Sequence, residues 1–208
     1  MMNDVVFTRK EVLEKTAAIL ELQEAISSFV GKRLCETCET AEEEWMEKRT
    51  HIMKHLKNLI SKYDFARTLP RDDLGIAAQA VLSYLLKIQY TYAQVVVMID
   101  MIRGEPFGEV YLDSMNAISS KTHQQLTALK NLTLERIANQ EAATAALQSV
   151  VRLEREIDED NIVICRQISV ASVEGETNYT CYMMRKIVSE LEHISDYIKD
   201  AAEVIIDI

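Results

Sequence analysis

Residues 153–196 read LEREIDEDNIVICRQISVASVEGETNYTCYMMRKIVSELEHISD, a stretch that is mirrored about Gly175. Two acidic pairs lie at equal distances along the chain on either side of that glycine, each pair spaced by about one helical turn: Glu154 with Asp158, and Glu192 with Asp196. If the chain turns at Gly175 and forms an antiparallel helical hairpin, this spacing places the four carboxylates at one level. The stretch therefore predicts two packed helices with an acidic cluster between them.

The hydrophobic pattern places these acids at or beside the buried face of the hairpin. In the first helix, residues at core spacing include Glu154 itself, between Val150 and Ile157. In the second helix, Glu192 and Asp196 border a predicted seam made of Cys181, Met184, Val188, Leu191, Ser195, Ile198, Ala202 and Ile205. An unpaired buried carboxylate costs several kcal/mol, so Glu154 needs a partner, a proton or a metal.

A metal ion is the sharpest interpretation of the four acids. Residues four apart share a helix face, so both pairs can point across the hairpin, where their negative charges repel one another unless a positive charge joins them. Carboxylate ligands favour hard ions such as Mg²⁺, Mn²⁺, Ca²⁺ or iron. The alternative is a set of ordinary surface acids that are neutralised by basic neighbours, for which the candidates are Arg152, Arg155, Arg185 and Lys199.

Outside this hairpin, the composition predicts an all-α chain. The 208 residues include five Gly and two Pro, and apolar residues recur at helical spacing almost throughout. Breaks are predicted near Gly31, at 64–70, at 104–108, near Asn139 and at Gly175. They separate six long helices, predicted over 8–30, 32–62, 71–103, 109–137, 140–171 and 177–207.

The segment GEPFG at 104–108 divides the six helices into two halves of three. We expect two tandem antiparallel three-helix bundles, 1–104 and 105–208, joined into one continuous domain with a shared core. The first half repeats the acidic pattern only in part. Glu43 and Glu47 lie on its second helix, whereas the corresponding part of its third helix carries Leu82 and Leu86. A complete second acidic cluster is therefore not expected there.

Charge and composition argue against several classes of function. The formal net charge is −10, and no Lys/Arg-rich segment with interleaved aromatics is present, so we expect no nucleic-acid binding. The most apolar stretch, 88–99, is too short for the roughly 30 Å hydrocarbon core, so we expect no direct membrane insertion. With no signal peptide evident, the expected location is the cytoplasm. The sequence shows no phosphate loop or activated nucleophile, which indicates a protein that is not an enzyme.

One further motif has the spacing of zinc ligands. Cys35, Cys38, His51 and His55 match a zinc finger in spacing, but the segment around them lacks strand alternation and continues a helical pattern. On one straight helix Cys38 and His51 would lie about 20 Å apart. We therefore interpret this motif as helical and expect the cysteines of the chain to be free thiols.

A second motif resembles an element of di-iron proteins. Glu190 and His193 form one Glu-x-x-His pair, whereas ferritin-like di-iron bundles use this pair twice inside a four-helix core. Both residues also lie off the predicted seam. A di-iron oxidase is therefore disfavoured.

The segments LEREID at 153–158 and LEHISDYIKDAAE at 191–203 resemble the repeated Glu/Asp-x-x-x-Asp signatures of PhoU-like proteins. The likeness is closer to the PhoU-like accessory proteins of Pit-type inorganic phosphate permeases. In these proteins an acid-rich second helix precedes a loop such as FARTLPRDDL at 65–74, which opens the third helix. The layout matches over nearly the whole chain.

This resemblance implies a non-enzymatic regulator of phosphate uptake or signalling, with a phosphate permease or signalling protein as partner. It implies metal clusters, of iron, zinc or another divalent cation, on the bundle surface. The matching positions are Glu154, Asp158, Glu192 and Asp196, while Glu43 and Glu47 match less closely. A metal-free helical scaffold is the alternative, and whether the chain forms a homo-oligomer stays open.

Overall fold

The computed structural model describes residues 7–36, 42–102, 109–138, 140–173 and 178–208. These residues form α-helices and one 3-10 helix, Ile60–Thr68, which follows the second α-helix. The predicted all-α architecture with six long helices is confirmed. The helices are α1 (Arg9–Glu36), α2 (Glu42–Leu59), α3 (Asp73–Met101), α4 (Glu109–Ala138), α5 (Gln140–Val173) and α6 (Asn178–Asp207).

The predicted helix bounds are close from the third helix onwards and wrong at both ends of the second helix. No break occurs at Gly31, because α1 continues through it to Glu36. A Cβ at Gly31 would lie 3.3 Å from the Ser119 hydroxyl, so the glycine lets α1 approach α4 closely. The second helix begins later than predicted, at Glu42, and its predicted end becomes the 3-10 helix. The predicted breaks at 104–108, Asn139 and Gly175 lie outside the described residues.

The six helices share one hydrophobic core. Helices α4, α5 and α6 all contact one another, while α1 packs along α4 and α3 packs along α6. Helix α2 makes only small contacts, with α1, α3 and the 3-10 helix. Contacts between the two halves are therefore more extensive than those within the first half, although the three helices of the second half contact one another most of all. The division into repeats 1–104 and 105–208 stays a prediction, since its boundary lies outside the described residues.

The predicted seam of α6 is confirmed, because all eight of its residues are buried: Cys181, Met184, Val188, Leu191, Ser195, Ile198, Ala202 and Ile205. Their spacing gives α6 one continuous apolar face, which packs against α3, α4 and α5. Cys165 is a free thiol, as expected. None of the described helices combines the length and the apolar character needed to cross a bilayer.

Buried glutamines connect neighbouring helices through backbone carbonyls. On α4, the Gln125 amide donates to the Val150 carbonyl of α5 at 3.3 Å and to the Ser195 carbonyl of α6 at 3.2 Å. Its side chain is fully buried. Since Val150 precedes Glu154 by one helical turn and Ser195 is next to Asp196, Gln125 joins α5 to α6 at the level of the predicted acidic cluster. A polar residue in an apolar stripe was the only sequence signal for this contact.

Candidate acidic site between α5 and α6

The hairpin of α5 and α6 brings three of the four predicted acids together. Glu154 and Asp158 on α5 and Asp196 on α6 each offer a carboxylate oxygen, and these oxygens all lie within 4.8 Å of one another. We call these three residues the acidic cluster. The fourth predicted residue, Glu192, lies on α6 one turn before Asp196 and outside this group. Among the described residues, the acidic cluster is the only group of three or more potential ligands so placed.

Burial distinguishes Glu154 from the other acids. Glu154 is 6% exposed, as its position in the α5 seam predicted, whereas Asp158, Glu192 and Asp196 are half-buried. Its Oε1 atom accepts a hydrogen bond from the Nζ atom of Lys199, 2.5 Å away on α6. The buried carboxylate therefore has a positively charged partner from the facing helix.

Lys199 is the one of the four predicted neutralising residues that forms an ion pair with the acidic cluster. Arg152 instead pairs with Glu156 on its own helix, at 2.6 Å. Arg155 and Arg185 are exposed and make no ion pair with the acidic cluster. Three carboxylates thus share a single ammonium group, which leaves an excess of negative charge.

This excess charge appears in the ionisation of the acids. Burial, followed by the negative charges of Glu154 and Asp196, raises the pKa of Asp158, while Lys199 acts weakly in the opposite direction. Burial and the charge of Glu154 likewise raise the pKa of Asp196. Burial and the charge of Asp196 raise the pKa of Glu192. The surroundings therefore disfavour the charged forms of Asp158, Asp196 and Glu192.

The donor atoms fit a divalent cation. The Oδ1 atom of Asp158 is buried and has no hydrogen-bond partner, although such atoms normally have one. The three residues of the cluster supply only carboxylate oxygens, the ligands that Mg²⁺, Mn²⁺ and similar hard ions prefer. The acidic cluster thus has an unused oxygen, excess negative charge and suitable donor chemistry.

The first half offers no comparable cluster in the part of it that the structure describes. Glu43 and Glu47 are exposed on α2. Leu82 is buried and Leu86 partly buried on α3, so at the corresponding positions the third helix contributes apolar packing. The acids that would complete a site are therefore replaced by core residues.

The other two motifs contribute no further metal group to the described structure. Glu190 is buried, but it pairs with Lys186 at 2.8 Å and lies 3.4 Å from the His193 ring on the same helix. His51 and His55 lie on α2, which is helical as predicted. Cys38 and the side chain of Cys35 lie outside what the structure describes, so the interpretation of that motif stays a prediction.

A pH-dependent stability follows from the raised pKa of Asp158. Because its folded pKa lies above the ordinary value of 3.8, the folded state binds a proton where the unfolded state does not. The stability that this group contributes is therefore greatest in acid and falls as the pH rises through that window. In the presence of a chelator, we expect Asp158→Asn to gain stability relative to the native chain as the pH rises from about 4 to 7. Thermal melts of both proteins across this range measure the difference, and a gap that stays constant would contradict the assignment.

Comparison with solved structures identifies the architecture. The crystal structure of PhoU from Pseudomonas aeruginosa matches this chain with a TM-score of 0.71, covering 94% of each chain at 15% sequence identity. No family model matches the chain, and no curated protein matches its sequence. At this identity the likeness shows the fold alone, which is PhoU-like, as the resemblance of the acidic segments implied.

Proposed function

We propose that this chain is a non-enzymatic, cytoplasmic regulator or accessory protein of inorganic phosphate transport that holds a divalent metal ion between α5 and α6. The observation that carries the proposal is the position of the acidic cluster on a PhoU-like fold. Its three carboxylates meet within 4.8 Å at the acidic positions that resemble the PhoU-like signatures. Fold and signature positions thus support the same function.

Glu154, Asp158 and Asp196 would hold the ion, with Glu192 as an additional acid beside them. Carboxylates from both helices would share it, so the bound ion would connect α5 to α6 and neutralise their repulsion. The oxygen donors suit Mn²⁺, Mg²⁺ or iron, and carboxylates also bind zinc. In this proposal the metal is a structural or signalling element, which is consistent with a protein that performs no reaction.

The proposed partner is a phosphate permease, with a Pit-type permease as the specific candidate, or a phosphate-signalling protein. The net charge of −10 gives the chain a strongly acidic surface. Cytoplasmic loops of membrane proteins carry an excess of Lys and Arg, and opposite charges speed the encounter of two surfaces. An acidic helical body of this kind is suited to dock against such loops.

A second candidate function is a helical interaction module that needs no metal. The observation that favours it is the ion pair between Lys199 and Glu154, which already gives the most buried carboxylate a cation. In that case the ion pair between Lys199 and Glu154 would hold the hairpin together without a metal, and chelators would leave both folding and partner binding unchanged.

Phosphate uptake by cells that lack this chain tests the proposed function. We expect deletion to change the rate of phosphate uptake and the native chain to restore it. A variant with Glu154→Gln, Asp158→Asn and Asp196→Asn, hereafter the triple amide variant, should fold but fail to restore uptake. Restoration by this variant would support the metal-free module instead. If deletion leaves uptake and phosphate-responsive expression unchanged, the proposed role in phosphate transport is wrong.

A further inference from the structure

The ammonium group of Lys199 is the cation that contacts the acidic cluster. Lys199 follows Asp196 by about one turn of α6, and its Nζ atom lies 2.5 Å from Oε1 of Glu154 on α5. The lysine side chain is 32% exposed, whereas the glutamate side chain is 8% exposed. The ammonium group thus reaches from the solvent side of the hairpin to its most buried carboxylate.

This position conflicts with a metal ion that uses the same carboxylate. A divalent cation bound by Glu154, Asp158 and Asp196 would lie a few ångströms from the ammonium group, where like charges repel strongly at partly buried sites. The ammonium also occupies Oε1 of Glu154 by a charge-assisted hydrogen bond, the stronger class of such bonds. Metal binding would therefore require Lys199 to move away from Glu154.

The structure provides a place to which Lys199 can move. Glu203 lies four residues after Lys199 on α6, the spacing at which oppositely charged side chains on a helix pair. Glu203 is exposed, and its negative charge already acts on Lys199. Because the lysine stem is flexible and partly exposed, its head group can exchange Glu154 for Glu203 without unfolding the helix.

We propose that Lys199 sets the metal affinity of the acidic cluster by competing with the ion for Glu154, so that the hairpin alternates between a lysine-bound and a metal-bound form. This inference rests on the metal site of the proposed function and adds its regulation. Any change that removes the lysine charge, acylation included, would shift the hairpin towards the metal-bound form.

Calorimetric titration of the full chain with Mn²⁺ tests the competition. Lys199→Gln removes the charge and keeps a hydrogen-bond donor. It should bind Mn²⁺ about ten-fold or more tightly than the native chain, because the native chain must break one charged hydrogen bond before the ion can bind. Lys199→Arg keeps the charge and should bind no more tightly than the native chain. Lys186→Gln is the matched control, since it removes an equal charge from the same helix at a lysine that pairs with Glu190.

The outcomes separate this inference from the proposed function. Equal affinity of the native chain and Lys199→Gln would overturn the competition while leaving the metal site intact. If only Lys199→Gln binds Mn²⁺, the competition is supported, and the proposal that the native chain functions with a bound metal is wrong. A loss of binding in Lys199→Gln, or binding by neither protein, would overturn the competition.

A second measurement needs no variant. The rate at which an amine-reactive reagent acylates Lys199 in the native chain can be followed by mass spectrometry with and without excess Mn²⁺. Because the metal would release the ammonium group from Glu154, the rate at Lys199 should rise several-fold while the rate at Lys186 stays constant. An unchanged rate at Lys199 would overturn the competition, including in the case that Lys199→Gln fails to fold.

Discussion

Addition of Mn²⁺ to the chelator-treated protein should raise its melting temperature by about 5–10 °C. A ligand that binds only the folded state at 100 times its Kd stabilises by about 2.7 kcal/mol, and each kcal/mol shifts the melting temperature of a domain of this size by about 2–4 °C. The stabilisation should grow as the pH rises and the carboxylates repel one another more strongly, because the ion would neutralise the carboxylates of Glu154, Asp158 and Asp196.

The triple amide variant should show no such rise, since it keeps the shape of each side chain and removes the charges that bind the ion. A charge-matched control is Glu43→Gln, Glu47→Gln and Glu159→Gln, which removes three exposed acids outside the cluster. This control should respond to Mn²⁺ as the native chain does. Equal stabilisation of the triple amide variant would show that the ion binds elsewhere.

Gly75→Ala should be among the most destabilising substitutions in the chain. A Cβ at Gly75 would lie 1.7 Å from the backbone carbonyl oxygen of Pro70, where no flexible side chain can give way. The glycine backbone N–H also donates to the Asp72 carboxylate at 2.9 Å, the N-cap contact that starts α3. We expect a loss of about 3 kcal/mol, seen as a fall in melting temperature of about 6–12 °C.

Gly31→Ala is the matched control, because the nearest atom to its new Cβ is the Ser119 hydroxyl at 3.3 Å. Gly31 lies inside α1, where alanine favours the helix by about 1 kcal/mol, so this change should be nearly neutral. Chemical denaturation of both variants measures the free energy of unfolding of each. If Gly75→Ala unfolds at the same denaturant concentration as Gly31→Ala, the close approach of Pro70 to Gly75 is not a feature of the folded protein.

The hairpin could be predicted because its signal depends on spacing alone. The mirrored pairs around Gly175 determine how far along each helix the acids lie, and the spacing of the apolar residues determines which helix face is buried. The proximity of Glu154 to Asp196 therefore follows from helix geometry. The break predicted at Gly31 was wrong for a physical reason. One glycine costs a helix only about 1 kcal/mol, and the close packing of α1 on α4 outweighs it.

The choice of counter-ion could not be predicted from the sequence. Four basic residues lie near the acids in sequence, and only the directions of their side chains decide that Lys199 reaches Glu154 while Arg152 pairs with Glu156. Helix side chains lean towards the N-terminus of their own helix, but their reach across a hairpin depends on the packing of both helices. The bonds of Gln125 to two neighbouring helices depend on the same three-dimensional detail.

Equilibrium dialysis against Mn²⁺, followed by elemental analysis of the native chain and of the triple amide variant, determines whether α5 and α6 hold a metal ion between them. Both proteins must first show the same helical circular dichroism. We expect near-stoichiometric metal on the native chain and none above the buffer level on the variant. Equal metal content in the two proteins, or a native chain that holds none, would contradict a metal site between α5 and α6.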